Sequence, residues 1–571
     1  MRWWPFLSTR NPTWRVMGTA MILAITGVTT LFVVRGPRPL RPTNDTGAMG
    51  PAAQGRFGTV TEPLGSGLFV MSYETITGEA EDLHLQKVTG RLQETASTWT
   101  MHSPSAQKAN GVWTLFGPMD MEDTDLDGTQ LGKGFISDAG PALGWEHGVW
   151  HGLAPLVWDD LQGSGKGQWH LPAGWYRGLD GKFVADKGPV RWDAADPGTV
   201  RSMEAERMVA ALGFKEGHMD EVTAQLTGGQ VKAHTVDIEK EWIRYSAPIT
   251  FTRDDGWHGD ASGGRAPRPP EGGAFEQVDF TDFHALRAIE GGTESVRSDG
   301  ARWTPSGLRL EGNVRMEQPQ DGQRLLLQAP RVLQRTAPGG SDLPADLPVG
   351  VSWAESQAVL SWGNRSLSSP RIEGRTKTRQ WRIQAPTQGR GEMGTFTAGE
   401  GRGTPKRWEF DGPIVAHFGE GSTGQGDGLV WENNRYTLTG RPVTMNRFRE
   451  RLTGPRLVRT GDVLTFPDGI AGALAALDGD INLQADRGTV LPTVINLDGR
   501  VEAQGQGWSL QADHISVTLG AGNMVKQVNG KGGVNLRGRM GEGRGDALVL
   551  DPNLKTADWV GRVKGTTEVN P

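Results

Sequence analysis

One pattern constrains the fold of this chain more than any other: apolar-x-apolar-x-Gly-x-apolar-x-apolar, repeated along its length. It reads LRLEGNVRM at 308–316, with Leu308, Leu310, Gly312, Val314 and Met316 on one side of a period-2 ribbon. It recurs as WTLFGPMDM around Gly117, WEFDGPIVA around Gly412 and INLDGRVEA around Gly499. Looser copies carry Gly532 and Gly561. A second element alternates with the first: LLLQAP (325–330), WRIQAP (381–386), INLQAD (481–486) and WSLQAD (508–513). Period-2 alternation ended by Pro or Asp is the signature of half-buried strands and turns. Helical periodicity is scarce, so the expectation is an all-β fold. The spacing is irregular, which suits antiparallel strand pairs with variable loops better than a strict solenoid.

The glycine in each repeat sits where a packed strand would place a large side chain. It marks either a bulge or a slot left open for something else. Tryptophan supplies much of the bulk elsewhere. Trp150 and Trp158 flank VWHGLAPLVW, and QWHLPAGW and WIRYSAPITF show similar faces. Their ordinary use is to fill a core, and the sharper alternative is to line a slot.

At 571 residues the chain is too long for one ordinary core. Residues 16–34, VMGTAMILAITGVTTLFVV, carry no charge and are long enough to span a bilayer. Trp3, Trp4 and Trp14 precede them, as suits a membrane interface. Arg35, Gly36 and Pro37 follow where a cleaved leader would need small residues, so an uncleaved anchor is expected. Residues 35–66 read as a Pro/Gly-rich tether, 67–256 as a β domain, 257–275 as a linker, and 276–571 as a β-repeat region with an internal linker at 335–350.

The 60 Lys and Arg against 66 Asp and Glu are evenly spread, which argues against a nucleic-acid partner. With no cysteine, disulfides, thiolate metal sites and cysteine nucleophiles are excluded. Asp123, Asp125 and Asp127 in DTDLDG match the first half of a calcium loop, but Gly134 stands where its bidentate Glu belongs. They are the metal candidate of the chain, against the plainer reading of a solvated turn. His147 and His151 lack the zincin glutamate, and GSGKG (163–167) lacks the spacing of a phosphate loop. No cofactor and no catalysis are expected.

The sequence LRLEGNVRMEQPQDGQRLLLQAPRV, with the run from 501 to 538, resembles the OstA-type repeats of the lipopolysaccharide-transport (Lpt) family. One N-terminal anchor followed by β units looks like the LptC branch, and the repeats look like the LptA branch. The resemblance implies tandem open β-jellyrolls with an apolar slot, anchored in the inner membrane with the bulk of the chain in the periplasm and residues 1–15 in the cytoplasm. It implies binding and passage of lipopolysaccharide or another envelope glycolipid, a membrane ABC-transporter complex as energy source, and edge-strand pairing with other jellyrolls. On that reading Gly117, Gly312, Gly412 and Gly499, with Leu310, Val314, Trp150 and Trp158, are the lipid-groove candidates. A structural scaffold of β modules and a carbohydrate-active β-helix enzyme are the alternatives.

Overall fold

The computed structural model describes residues 53–566, apart from short internal stretches such as 162–165, 212–215, 269–275 and 376–379. The apolar segment 16–34 lies outside the described residues. Among those described, no helix is long and apolar enough to cross a membrane.

The chain is all-β. Its basic unit is a long strand paired antiparallel with its neighbours in sequence. Val278–Ile289, Gly292–Thr304, Gly307–Gln320, Gln323–Arg335 and Val351–Trp362 form one such run. Their burial alternates as the sequence pattern requires. Near the middle of most of these strands the register slips, between Glu311 and Val314 for example, or between Gln328 and Arg331. A bulge of this kind bends a strand and increases its twist. Repeated strand after strand, it folds the sheet so that the two halves face each other.

Three branches show where the halves separate. Ser97–Ala109 pairs through its first half with Met119–Asp125 and through its second with Val112–Phe116. Arg365–Arg375 divides between Gln380–Ile383 and Thr387–Gly391. Glu450–Thr460 divides between Val463–Phe466 and Ile470–Ala476. The branches meet again on Gly217–Leu226, Arg407–Phe418 and Val494–Gly505. Each long strand thus contributes to two layers.

A single apolar cluster fills the space between the layers from Phe69 to Leu550. Trp113, Trp169, Trp192 and Trp408 are fully buried in it. Burying one such ring contributes roughly 4–6 kcal/mol by area. Many rings lie flat over glycines. A Cβ on Gly132 would come within 2.4 Å of the Trp158 ring, and one on Gly389 within 2.1 Å of Phe396. The high glycine content therefore makes room for aromatic rings.

Three sequence expectations change. Part of the expected tether, Ala53–Leu64, is a strand paired along its length with Gly67–Glu79. Within the expected linker at 257–275, His258–Pro267 is a strand paired with Trp242–Arg253 on one side and Val278–Ile289 on the other. Pairing is continuous across the expected domain boundary. The stretch at 335–350 is a strap rather than a spacer. Its Leu343 and Leu347 pack with Leu333, Val351 and Trp353 in a second, smaller cluster. The buried Arg335 guanidinium ties it down by donating to the carbonyls of Gly339 (2.6 Å), Leu343 (3.2 Å) and Pro344 (2.9 Å).

Candidate apolar groove

The repeat glycines are bends, and their missing side chains do not point inward. Gly312, Gly412 and Gly499 have φ of +70°, +93° and +72°. In that region an L side chain is strained, which is why glycine occupies the position. The rotation also turns the missing side chain towards the polar face. A Cβ on Gly312 would lie 2.5 Å from Oδ2 of the exposed Asp299. At Gly499 the neighbour is Asp486, at Gly532 Asp513 and at Gly561 Asp546. The second sequence element now acquires a meaning. The aspartate ending INLQAD seats against the glycine of INLDGRVEA, and the aspartate of WSLQAD against Gly532. The residue after the glycine is held too: Asn313 Nδ2 donates to Asp299 Oδ2 (2.8 Å), and the Arg562 amide donates to Asp546 Oδ2 (3.1 Å). Gly117 differs. It sits at the corner between two short strands, where a Cβ would lie 2.0 Å from the carbonyl oxygen of Asp138.

Leu310 and Val314 are buried on either side of the bulge. Trp150 packs edge-on to Phe69 with ring centroids 5.1 Å apart, and Trp158 stacks on Trp99 at 4.9 Å. These side chains fill the core. The acidic run does not gather into a cation site either. Asp125 Oδ1 accepts the amides of Asp127 (2.9 Å) and Thr129 (2.8 Å), closing a hairpin turn. Asp123 lies back in the strand opposite Gly132. Among the described residues no group of three or more histidines or acids is placed to hold a metal. His147 and His151 are both exposed.

The interlayer space opens at the C-terminal end of the sheet. There a cavity of about 730 Å³ lies between the last strands. One layer supplies Ile481, Trp508 and Leu536, and the halves beyond the bulges supply Leu550, Ala557 and Trp559. Trp508 covers Gly505, and Trp559 leans across Gly543 and Gly545. Ile481 and Leu550 are buried, whereas Val563 at the rim is 45% exposed. The last strand, Thr556–Thr566, pairs on one side with Gly541–Asp551. Among the described residues no strand pairs with its other edge.

None of the eight residues expected to line a lipid groove borders this cavity. The sequence does not mark it, because Trp508 opens the second element WSLQAD and Trp559 a looser copy of the first. Two rings separated by more than forty positions signal a common wall only once the register is known.

No protein-family model matches this chain, and no curated protein matches it. What the chain does must therefore be argued from its own residues.

Proposed function

We propose that this chain binds the hydrocarbon part of an envelope lipid or glycolipid in the C-terminal groove and passes it along a bridge of folded β sheets. The observation that carries this reading is the cavity of about 730 Å³ between the last strands, where Ile481, Trp508, Leu536, Leu550, Ala557 and Trp559 form an apolar wall and Asp478, Gln506 and Glu542 supply a polar one, as an amphipathic lipid requires. Its size falls in the range of small-ligand sites, roughly 300–1,000 Å³. Hydrocarbon placed there gains about 0.8 kcal/mol for each buried CH₂. Roughly five to twenty buried methylene groups, the length of one or two acyl chains, offset an association cost of about 4–15 kcal/mol.

Two features of the sequence support the same reading. The repeats resemble the Lpt family, and residues 16–34 have the length and composition of an anchor that would hold the sheet against a membrane. On this proposal the first and last strands, Ala53–Leu64 and Thr556–Thr566, are the edges on which further β modules would pair. The bulk of the chain lies outside the cytoplasm, and energy comes from a membrane ATPase.

The filled core favours a second reading. Between Phe69 and the last few strands the interlayer space is occupied by the protein's own side chains. A continuous slot is not needed for a scaffold that spans distance. Retention of a fluorescent fatty acid separates the two readings. Lipid binding predicts saturable uptake that Ala557→Trp, which fills the groove, abolishes at an unchanged melting midpoint. A scaffold predicts no saturable uptake by either protein.

A further inference from the structure

The outer face of the sheet carries a ladder of charges whose register changes character partway along. In one stretch, directly opposed residues alternate in sign: Glu311 faces Arg331, Arg331 faces Glu355, and Glu355 faces Arg371. The matching ion pairs form, Arg331 to Glu311 at 3.4 Å and Arg371 to Glu355 at 3.0 Å. This is how a solvated sheet face normally balances its charge.

The adjoining stretch breaks the rule. Arg244 faces Arg265, Arg265 faces Asp279, Asp279 faces Arg302, and Arg302 faces Arg309. Two like-charged pairs stand directly opposite each other, an arrangement that destabilises a sheet. The carboxylates nearby are committed elsewhere. Glu239 holds Arg244 at 2.7 Å, and Glu311 accepts from Arg309 Nε at 2.8 Å. Asp279 takes both Nε (2.7 Å) and Nη2 (3.3 Å) of Arg302. Arg265 reaches Asp279 only at 3.9 Å and is steadied by the Trp242 ring, 4.5 Å from its guanidinium carbon. Arg265, opposite Arg244, is thus left with its nearest carboxylate at 3.9 Å.

The floor beneath is bare. Gly263 and Gly300 lie between the arginines, Gly264 turns its missing side chain to Tyr245 and Ile249 beneath, and a cavity of about 590 Å³, lined also by Asp279 and Glu311, opens there. Glycine within a strand marks a bulge or a close approach by a ligand or backbone; the register slips at Gly300 and beside Gly263, and the bends leave the hollow open. Four arginines share the carboxylates of Glu239, Asp279 and Glu311, so the row keeps an excess of positive charge, with Arg265 the least closely paired, as happens where a sequence serves binding ahead of stability.

The geometry points to a binding site for a dianionic phosphate group, seated over Gly263 and Gly264 and held by Arg265 with Arg244 and Arg302 beside it. Guanidinium forks match phosphate oxygens in geometry and charge. An anion there would answer the Arg244–Arg265 contact and complete the pairing of Arg265. The phosphate belongs either to a small soluble ester or to a lipid headgroup. This site shares no residue with the apolar groove, so the two proposals stand or fall separately.

Calorimetric titration of the full chain in neutral detergent tests it. The probes are inorganic phosphate, glucose 6-phosphate and dihexanoyl phosphatidic acid, with glucose and chloride of equal ionic strength as controls. Binding of at least one phosphate probe is expected. Binding of all three identifies the phosphate alone as what is read, and binding of the phosphatidic acid alone identifies a lipid headgroup. Arg265→Gln should weaken the bound probe about tenfold or more, with a melting midpoint in chloride equal to or above that of the parent. Arg244→Gln serves in the same way if Arg265→Gln does not fold. Arg371→Gln, in the balanced stretch, should leave affinity unchanged. The proposal is overturned if no phosphate probe exceeds its control, or if Arg371→Gln weakens binding as much as Arg265→Gln.

Discussion

At Gly312 the backbone holds φ at +70° with the Asp299 carboxylate where a side chain would begin. Any L residue there meets both the strain of a left-handed conformation and a polar neighbour. Gly312→Ala and Gly312→Leu should therefore both destabilise the fold, by about 1–3 kcal/mol for the alanine. Had the position bordered a groove, the leucine alone would have acted, and through binding. Thermal melting of both variants checks this: equal stability of Gly312→Ala and the parent would contradict the bend. The carboxylate side is testable too. Asp299→Ala removes the acceptor for Asn313 Nδ2 and should lower the midpoint less than Gly312→Ala, because the pair is exposed and worth at most about 1 kcal/mol.

Single strands were the most legible elements. The alternation at 308–316 marks a strand because Leu308, Leu310 and Val314 are buried there. His258–Pro267 escaped for a physical reason: HGDASGGRAP offers only Ala261 and Ala266 to the core. Its partners on both sides supply the apolar surface, and no local pattern betrays that. The strap at 335–350 reads as a spacer in the sequence because Pro and Gly surround its two buried anchors, Leu343 and Leu347. Its stability should rest on Arg335. Arg335→Met keeps the bulk and leaves three carbonyls without their donor, a loss of about 1–3 kcal/mol. Limited proteolysis should then cut within 342–350 before the sheet unfolds, and simultaneous loss of strap and sheet would contradict this. The hairpin of Gly217–Leu226 and Gly229–Ile238 carries a pH-dependent contact. His218 lies between Asp237 (2.7 Å) and Asp220 (2.9 Å). The Asp237 hydrogen bond, against partial burial and with help from Asp220, raises its pKa above the ordinary 6.5. Its stabilisation is complete below 6.5 and fades as pH rises through the higher folded value. The midpoint difference between the parent and His218→Asn should therefore shrink from pH 6 to pH 8. A difference that grows with pH would reverse the sign.

Over the whole molecule, the repeats specify an architecture. Asp-capped glycine bulges fold one long antiparallel sheet into two layers, and tryptophans laid over glycines fill the space between. The register between strands is what sequence could not supply. It decides that Trp508 and Trp559 share a groove, and that four arginines share one row with the single aspartate Asp279 while the adjoining row alternates arginine with glutamate. The central proposal is that the cavity between the last strands at the C-terminal end holds lipid. Mass spectrometry of organic extracts from the purified full chain, compared with Ala557→Trp purified in parallel, tests it most directly. Near-stoichiometric acyl lipid in the parent, and little in a variant of equal melting midpoint, is the expected result. Equal lipid in both, or none in either, would contradict the claim.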